Sequence, residues 1–297
     1  MKAVDATSLE VGGVPLRVRI SGPETGTPIL LIHGIARSLE DWTESHDLLA
    51  AQPGADGRGH RVISTDLPGF GYSRKGRAKP GLASFATAMA GLLEAAGVTE
   101  PAHVMGNSLG GGVAMTLAVQ HPGTVASLTL VNSVGFGSEA NISALPMTYG
   151  VLAALPGLAG TFGPRAREAG ANTIRDLFFD RDLATVDQLR HASKLAKQPD
   201  FRSTFLGTAA TLGAPLVGVR AGWRRALLAG VAATGIPVLV VWGDADKIPP
   251  HHLDAAQRAF PQARVQMFAD TGHMVQVEKA AEFAELAGAF VDEVATA

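Results

Sequence analysis

A serine at the tip of a glycine-flanked turn is the chain's clearest chemical feature. His103-Val104-Met105-Gly106-Asn107-Ser108-Leu109-Gly110-Gly111-Gly112 reads as a short apolar strand, a tight turn and the first turn of a helix. Gly106, Ser108 and Gly110 fill the pattern G-x-S-x-G. On such a turn the serine backbone is strained, and a side chain at position 106 or 110 would collide with it. The helix that follows directs free N–H groups and its positive dipole end at the turn, which favours negative charge there. A nucleotide-binding turn is the rival reading. It needs a glycine where Ser108 stands, or Gly-Lys-Ser/Thr, and the chain has neither. A serine hydroxyl is a poor nucleophile at neutral pH. It needs a base, and the base needs a partner to fix its tautomer and stabilise its charged form. Asp246 and His273 both follow Ser108 in the chain and are candidates for these roles.

The elements around these residues must bring them together. Residues 8–20 alternate around Gly12-Gly13 as a hairpin, and Pro28–Ile32 is a continuous apolar run typical of a strand buried on both faces. A helix is expected from about Ser38, a strand over Arg61–Thr65, a helix through Phe85, Met89, Leu92 and Leu93 stopping at Gly97, and a strand over Ser127–Val131. Strands alternating with helices imply a mostly parallel, doubly wound α/β sheet, whose ligand crevice lies beyond the carboxyl ends of the strands. His33, Asp66, Ser108 and Asn132 fall at those ends.

From 137 to 212 the alternation stops, and helices are expected near 146–155, over Pro164–Phe178, over Thr185–Lys197 with a Thr185/Gln188 capping box, and over Phe201–Leu212. This predicts a core of residues 1–136 and 213–297 with an inserted α-helical cap at 137–212. Phe162, Phe178, Phe179, Phe201 and Phe205 give the insertion apolar surface, for lining a pocket or for packing it onto the core. After it come a helix over Trp223–Ala233, a strand over Ile236–Trp242, a helix over Pro249–Phe260, a strand over Arg264–Phe268 and a closing amphipathic helix through Phe283 and Phe290.

Composition excludes several classes. A net charge of −2 leaves no electrostatic footprint for nucleic acid or an anionic membrane. The absence of cysteine removes disulfides, thiolate metal sites and a cysteine nucleophile. No signal peptide or membrane-spanning run is visible, so a cytoplasmic protein is the expectation. His251-His252 does not suit a metal, because adjacent helical residues do not face one ligand. His103, His121, His251 and His252 are read as surface or packing histidines, and Arg74, Lys75, Arg77 and Lys79 as a solvated basic run. Asn141-Ile142-Ser143 matches a glycosylation sequon without a secretory signal to make it relevant.

Five motifs in order, each at a strand end, carry a resemblance that covers nearly the whole length: His33-Gly34, Asp66-x-Pro68-Gly69-x-Gly71-x-Ser73, Gly106-Asn107-Ser108-Leu109-Gly110-Gly111, Gly243-x-x-Asp246-x-x-Pro249 and Gly272-His273. The chain resembles an α/β-hydrolase-fold serine hydrolase with a helical cap. That resemblance implies Ser108 as nucleophile, His273 as general base and then acid, Asp246 as orienting carboxylate, and the backbone N–H groups of Ile35 and Leu109 as oxyanion hole. It selects Asp246 over Asp244, gives Asp270 a loop-capping role, and gives His33 and Asp66 structural ones. Serine at the elbow argues against the relatives that dehalogenate alkanes or open epoxides with aspartate. A carboxylic-ester hydrolase acting on a small or medium apolar ester or lactone is the first expectation. The second is a carbon–carbon bond hydrolase of aromatic ring-fission products, which Gly106-Asn107-Ser108 and Leu130–Gly135 also resemble. That group carries a cap arginine and a tryptophan after the histidine. Arg190 and His191 stand near the first position, and Met274 replaces the second, which makes these three the candidate substrate-binding residues. A non-catalytic ligand-binding protein on the same fold is the reading from another class. No metal or organic cofactor is expected. The expected partner is a small molecule with an apolar body, without nucleic acid or membrane, and self-association into a homo-oligomer is left open.

Overall fold

The computed structural model describes residues 4–55, 57–137, 159–214, 218–248 and 252–297. Strands β1 (Thr7–Val11) and β2 (Val14–Ser21) form the expected hairpin. Its two-residue turn places Gly12 and Gly13 at φ 57° and 76°, the left-handed pair that such a turn demands. Then follow β3 (Thr27–Ile32), α1 (Thr43–Ala50), β4 (His60–Thr65), α2 (Leu82–Ala95), β5 (Ala102–Asn107), α3 (Leu109–Gln120) and β6 (Val125–Val131). Next come α4 (Ala159–Arg175), α5 (Val186–Leu195) and α6 (Phe201–Leu212), a short ladder of β7 (Gly213–Ala214) with β8 (Gly218–Val219), and α7 (Ala221–Thr234). The chain ends with β9 (Val238–Gly243), α8 (Leu253–Ala259), β10 (Arg264–Phe268), α9 (Val275–Glu278) and α10 (Ala280–Ala295).

Eight strands make one sheet in the order β1-β2-β4-β3-β5-β6-β9-β10. β1, β2 and β4 pair antiparallel, and all pairs from β4 through β10 are parallel. The apolar runs divide by residue parity. Leu30, Ile32, Val104, Leu128, Leu130, Val240 and Trp242 enter the core under α2, α3 and α7. Ile29, Leu31, Met105, Val131, Leu239 and Val241 enter the opposite core with Phe283, Phe290 and Val291 of α10. Both faces of these strands are therefore buried, which is why they read as continuous rather than alternating. The chain passes from β3 to β4 on one side and then crosses to β5 on the other. That reversal opens the sheet between the ends of β3 and β5, where ligand crevices form in such folds.

Some elements differ from expectation. α4 begins at Ala159, so Pro164 lies inside it rather than at its first position, and it ends at Arg175. α8 is shorter than the span read from residue 249 onward, because His252 at φ −114° and ψ 34° is not helical. Val275–Glu278 is a helical turn with no periodic signal in four residues. The helix expected near 146–155, the sequon at 141–143 and His251 lie outside the described residues.

Candidate active site

Ser108 terminates β5 and precedes α3 with φ 56° and ψ −115°. A non-glycine residue here costs on the order of 1–3 kcal/mol, so the surroundings must enforce it. They do so by close approach. A Cβ on Gly106 would sit 2.3 Å from the carbonyl oxygen of Gly110, and one on Gly110 would sit 2.2 Å from that of Ile32. The Ser108 N–H donates to Val131 O at 3.0 Å, and its carbonyl accepts from Val134 N at 3.2 Å, so β6 holds the turn from the far side. Gly34 packs against the turn, where its Cβ position is 3.3 Å from that of Ser108. This brings the loop after β3 alongside the serine. Among the described residues, the N–H groups of Ile35 and Leu109 are not committed to acceptors within the protein.

His273 lies on the loop after β10 and Asp246 on the loop after β9. The His273 Nδ1 is 2.8 Å from Asp246 Oδ2, and both side chains are buried. The same oxygen accepts from Asn132 Nδ2 at 2.5 Å, while Asp246 Oδ1 accepts from Ile248 N at 2.8 Å. Asn107 Nδ2 donates to His273 O at 3.0 Å and so ties the histidine loop to the elbow. Two residues that the sequence reading left without roles, Asn107 and Asn132, thus frame this pair. The only advance signal was a polar residue ending an apolar strand. A hydrogen bond between Ser108 Oγ and His273 is not closed in this structure; such contacts are often long without substrate. The Asp244 carboxylate accepts Thr271 N at 3.2 Å and is not the partner of His273. Asp270 takes φ 49° in the turn after β10.

His33 and Asp66 brace the loops after β3 and β4. His33 Nδ1 donates to Gly34 O at 2.7 Å and Nε2 accepts Leu67 N at 2.9 Å, which assigns a neutral ring; burial pushes its pKa down. Asp66 accepts the N–H groups of Leu39 and Tyr72, each at 2.8 Å, and burial raises its pKa. Arg17 bridges Asp66 at 3.3 Å and Glu40 at 2.6 Å. Burial would raise the Glu40 carboxyl, but hydrogen bonds from His191, Arg17 and Ser38 hold it well below the usual carboxylate range.

The three candidate substrate-binding residues do not share one environment. The Arg190 side chain is 71% exposed and lies 3.5 Å from Asp187, so its guanidinium faces solvent rather than the serine. His191 Nε2 reaches Ser38 Oγ at 2.8 Å, and Ser38 in turn donates to Glu40. It therefore latches α5 onto the loop after β3. Met274 is buried with Leu177, Phe178 and Ala184. Of the phenylalanines, Phe178 is buried, Phe201 and Phe205 stack on each other, and Phe201 also packs on Phe70. Arg74, Arg77 and Lys79 are exposed, as expected of a solvated run, and the run is tied to Asp200, which accepts from Arg74 Nε and from Lys75 N at 3.0 Å.

Among the described residues no helix is long and apolar enough to cross a membrane, and no group of three or more His, Cys, Asp or Glu could hold a metal ion.

The chain is 35% identical over 277 residues to the dihydrolipoyllysine-residue acetyltransferase component of the acetoin cleaving system of Cupriavidus necator. That alignment covers 92% of this chain and 66% of the relative, so the chain spans just under two thirds of its length. It is 30% identical over 292 residues to a 2-hydroxymuconate semialdehyde hydrolase of Pseudomonas sp. strain CF600, covering 96% and 93% of the two chains. Lipase 3 of Moraxella sp. strain TA144 is 30% identical over 277 residues, covering 90% and 78%. The family described as the alpha/beta hydrolase fold matches residues 27–280, from the first parallel strand to the start of the last helix, and the chain belongs to that family.

Proposed function

We propose that this chain is a serine hydrolase that cleaves a small or medium apolar carboxylic ester or lactone through an acyl-enzyme. The observation that carries the reading is the buried Asp246–His273 contact of 2.8 Å, on a loop that Asn107 ties to the Ser108 turn. In this reading the Ser108 Oγ attacks the acyl carbon as its proton passes to His273 Nε2. The two electrons displaced onto the carbonyl oxygen are held by the N–H groups of Ile35 and Leu109. His273 then returns the proton to the leaving alkoxide as the ester C–O bond breaks. Water repeats the sequence on the acyl-enzyme, releasing the acid and Ser108. Asp246 keeps the Nδ1 proton in place and stabilises the imidazolium. The contact between Ser108 and His273 closes with substrate in place.

Residues 137–212 act as the cap in this reading. Support comes from its contacts with the strand-end loops: His273 N to Leu177 O at 2.7 Å, His191 to Ser38, and Arg74 to Asp200 at 3.0 Å. The substrate is a small molecule with an apolar body. An uncharged one is favoured, since Arg17 on β2 is bound by Glu40 and Asp66, and Arg37 in the loop after β3 by Asp41.

The test is hydrolysis of p-nitrophenyl butyrate. Ser108→Ala and His273→Ala should each lower kcat/KM by about 10³-fold or more, with Tm nearly unchanged. Substantial residual turnover in either variant, by a folded protein, would sink the assignment. Failure of wild-type Ser108 to react with a fluorophosphonate would favour a non-catalytic binding protein.

The second reading is carbon–carbon bond cleavage, supported by the near full-length alignment with the semialdehyde hydrolase. It requires a cation for the substrate's acid group, and Arg190 faces solvent. Arg190→Ala should therefore change kcat/KM by less than about two-fold, as surface substitutions stay within about 0.5 kcal/mol. A large rise in KM on a vinylogous keto-acid would instead support this second reading.

A further inference from the structure

Glu278 ends the short helix α9, five residues past His273, and the chemistry above leaves it without a role. Its carboxylate accepts three backbone N–H groups. Oε1 takes Gly272 at 2.9 Å and Met274 at 3.4 Å, the residues on either side of His273. Oε2 takes Phe179 at 2.8 Å, in the segment after α4. His273 itself donates its N–H across the same seam to Leu177 O at 2.7 Å. Gly272 makes this seam close, because a Cβ there would lie 2.6 Å from Leu177 O and 2.7 Å from Phe179 N. Burial raises the Glu278 carboxyl while the three N–H groups pull the other way. Its ionised form is the one that can accept on both oxygens.

We propose that Glu278 is a positioning residue of His273: its Oε1 clamps both flanks of the histidine and its Oε2 fastens that loop to Phe179. This rests on the serine-hydrolase reading and adds to it a dependence of the base on a second carboxylate. The loop is short. Besides the clamp, the histidine is held by its N–H on Leu177, by Asn107 on its carbonyl and by Asp246 on its ring. Removing Glu278 frees both flanking amides at once. A base displaced by about 1 Å can lose on the order of 10²-fold in rate while substrate binding is untouched.

The experiment combines steady-state kinetics on p-nitrophenyl butyrate with the rate of Ser108 labelling by a fluorophosphonate, in wild type, Glu278→Ala and Glu278→Gln. Labelling reports activation of the serine independently of the acyl pocket. Expected for Glu278→Ala is a kcat lowered about ten- to one-hundred-fold, KM within about two-fold, and labelling slowed by the same factor as kcat. Glu278→Gln keeps one acceptor oxygen and should fall between it and wild type in both assays. A folded Glu278→Ala labelled at the wild-type rate overturns the proposal, as does a loss that lies wholly in KM. If Glu278→Ala does not fold, Glu278→Gln decides: slowed labelling supports the clamp and a wild-type rate overturns it. Wild-type protein that is not labelled at Ser108 removes the serine-hydrolase reading, and this role with it. Wild type and variants labelled alike remove the role alone.

Discussion

Asn132 combines a strained backbone with a contact to the candidate base's partner. It stands at φ 45°, a left-handed conformation that asparagine tolerates better than most residues. There its Nδ2 reaches Asp246 Oδ2 at 2.5 Å, the oxygen that also faces His273. A hydrogen bond to a charged group contributes about 1.5–3 kcal/mol, so Asn132→Ala should lower kcat by about ten-fold or more. Asn132→Asp should be worse near neutral pH, because two buried carboxylates would then compete for one imidazole. Wild-type kcat in Asn132→Asp would show that the amide does not orient Asp246. At this scale the sequence was informative where chemistry is local. Ser108, His33, Asp66 and Gly272-His273 stand in short motifs whose residue types follow from turn geometry. Asn132 and Glu278 act through bonds to residues distant in the chain or to backbone amides, so the strand-end position of Asn132 showed where it stands but not what it bonds, and Glu278 left no pattern at all. Arg190 shows what residue type alone leaves out, since a residue in the expected stretch of a helix also needs the helix turned toward the site, and here its side chain is 71% exposed.

Elements fared according to how their burial is written. β3, β4, β6, β9 and β10 were legible to within about two residues: β3 and β9 as apolar runs buried on both faces, and the edge strand β10 as an alternating run, Arg264–Phe268, that buries one face. The Thr185/Gln188 capping box forms as read, with Gln188 N on Thr185 Oγ1 at 3.3 Å and Thr185 N on Gln188 Oε1 at 2.9 Å. Helix boundaries at Pro164 and near residue 249 were misplaced, since proline and flanking residues set only a bias that tertiary contacts override. The junction between α3 and β3 was not legible at all. Gly110 reads as part of the serine turn, but its second duty is to let the first turn of α3 lie on the backbone of β3. A Cβ there would meet Ile32 O at 2.2 Å and His33 O at 2.8 Å, both backbone atoms that cannot swing away. Gly110→Ala must therefore push α3 off the central strand. The expected cost is about 3 kcal/mol, at the upper end for overpacking, read as a lower urea midpoint. Gly222→Ala is the control, since nothing lies within 4 Å of its Cβ position. Equal midpoints for the two variants would show that the strand yields at no cost.

The whole molecule places helices on both faces of its central strands, so polar side chains between layers are cut off from water. His46 and His103 occupy such positions. His46 lies between α1 and β4 with Nδ1 2.6 Å from Ser64 Oγ, and His103 lies between β5 and β6 with Nδ1 2.8 Å from Ser127 Oγ. Burial, and then the Arg19 charge, lowers His46 to about 3; burial, and then His60, lowers His103 to about 4. In the unfolded chain both return to an ordinary value near 6.5. The unfolded state therefore binds protons that the folded state refuses as pH falls below that value. Their contribution is fully present above about pH 7 and drains away toward the folded values, at on the order of 2 kcal/mol per histidine by pH 5. Asp66 and Glu278, raised by burial, oppose this trend at the acid end. The clean readout is thus the histidine's own share. Urea midpoints at pH 7.5 and pH 5 should fall steeply for wild type and less steeply for His103→Gln, whose amide can keep the contact to Ser127 without taking up a proton. Parallel slopes for the two proteins would mean that His103 titrates alike folded and unfolded, and that water reaches the seam between β5 and β6.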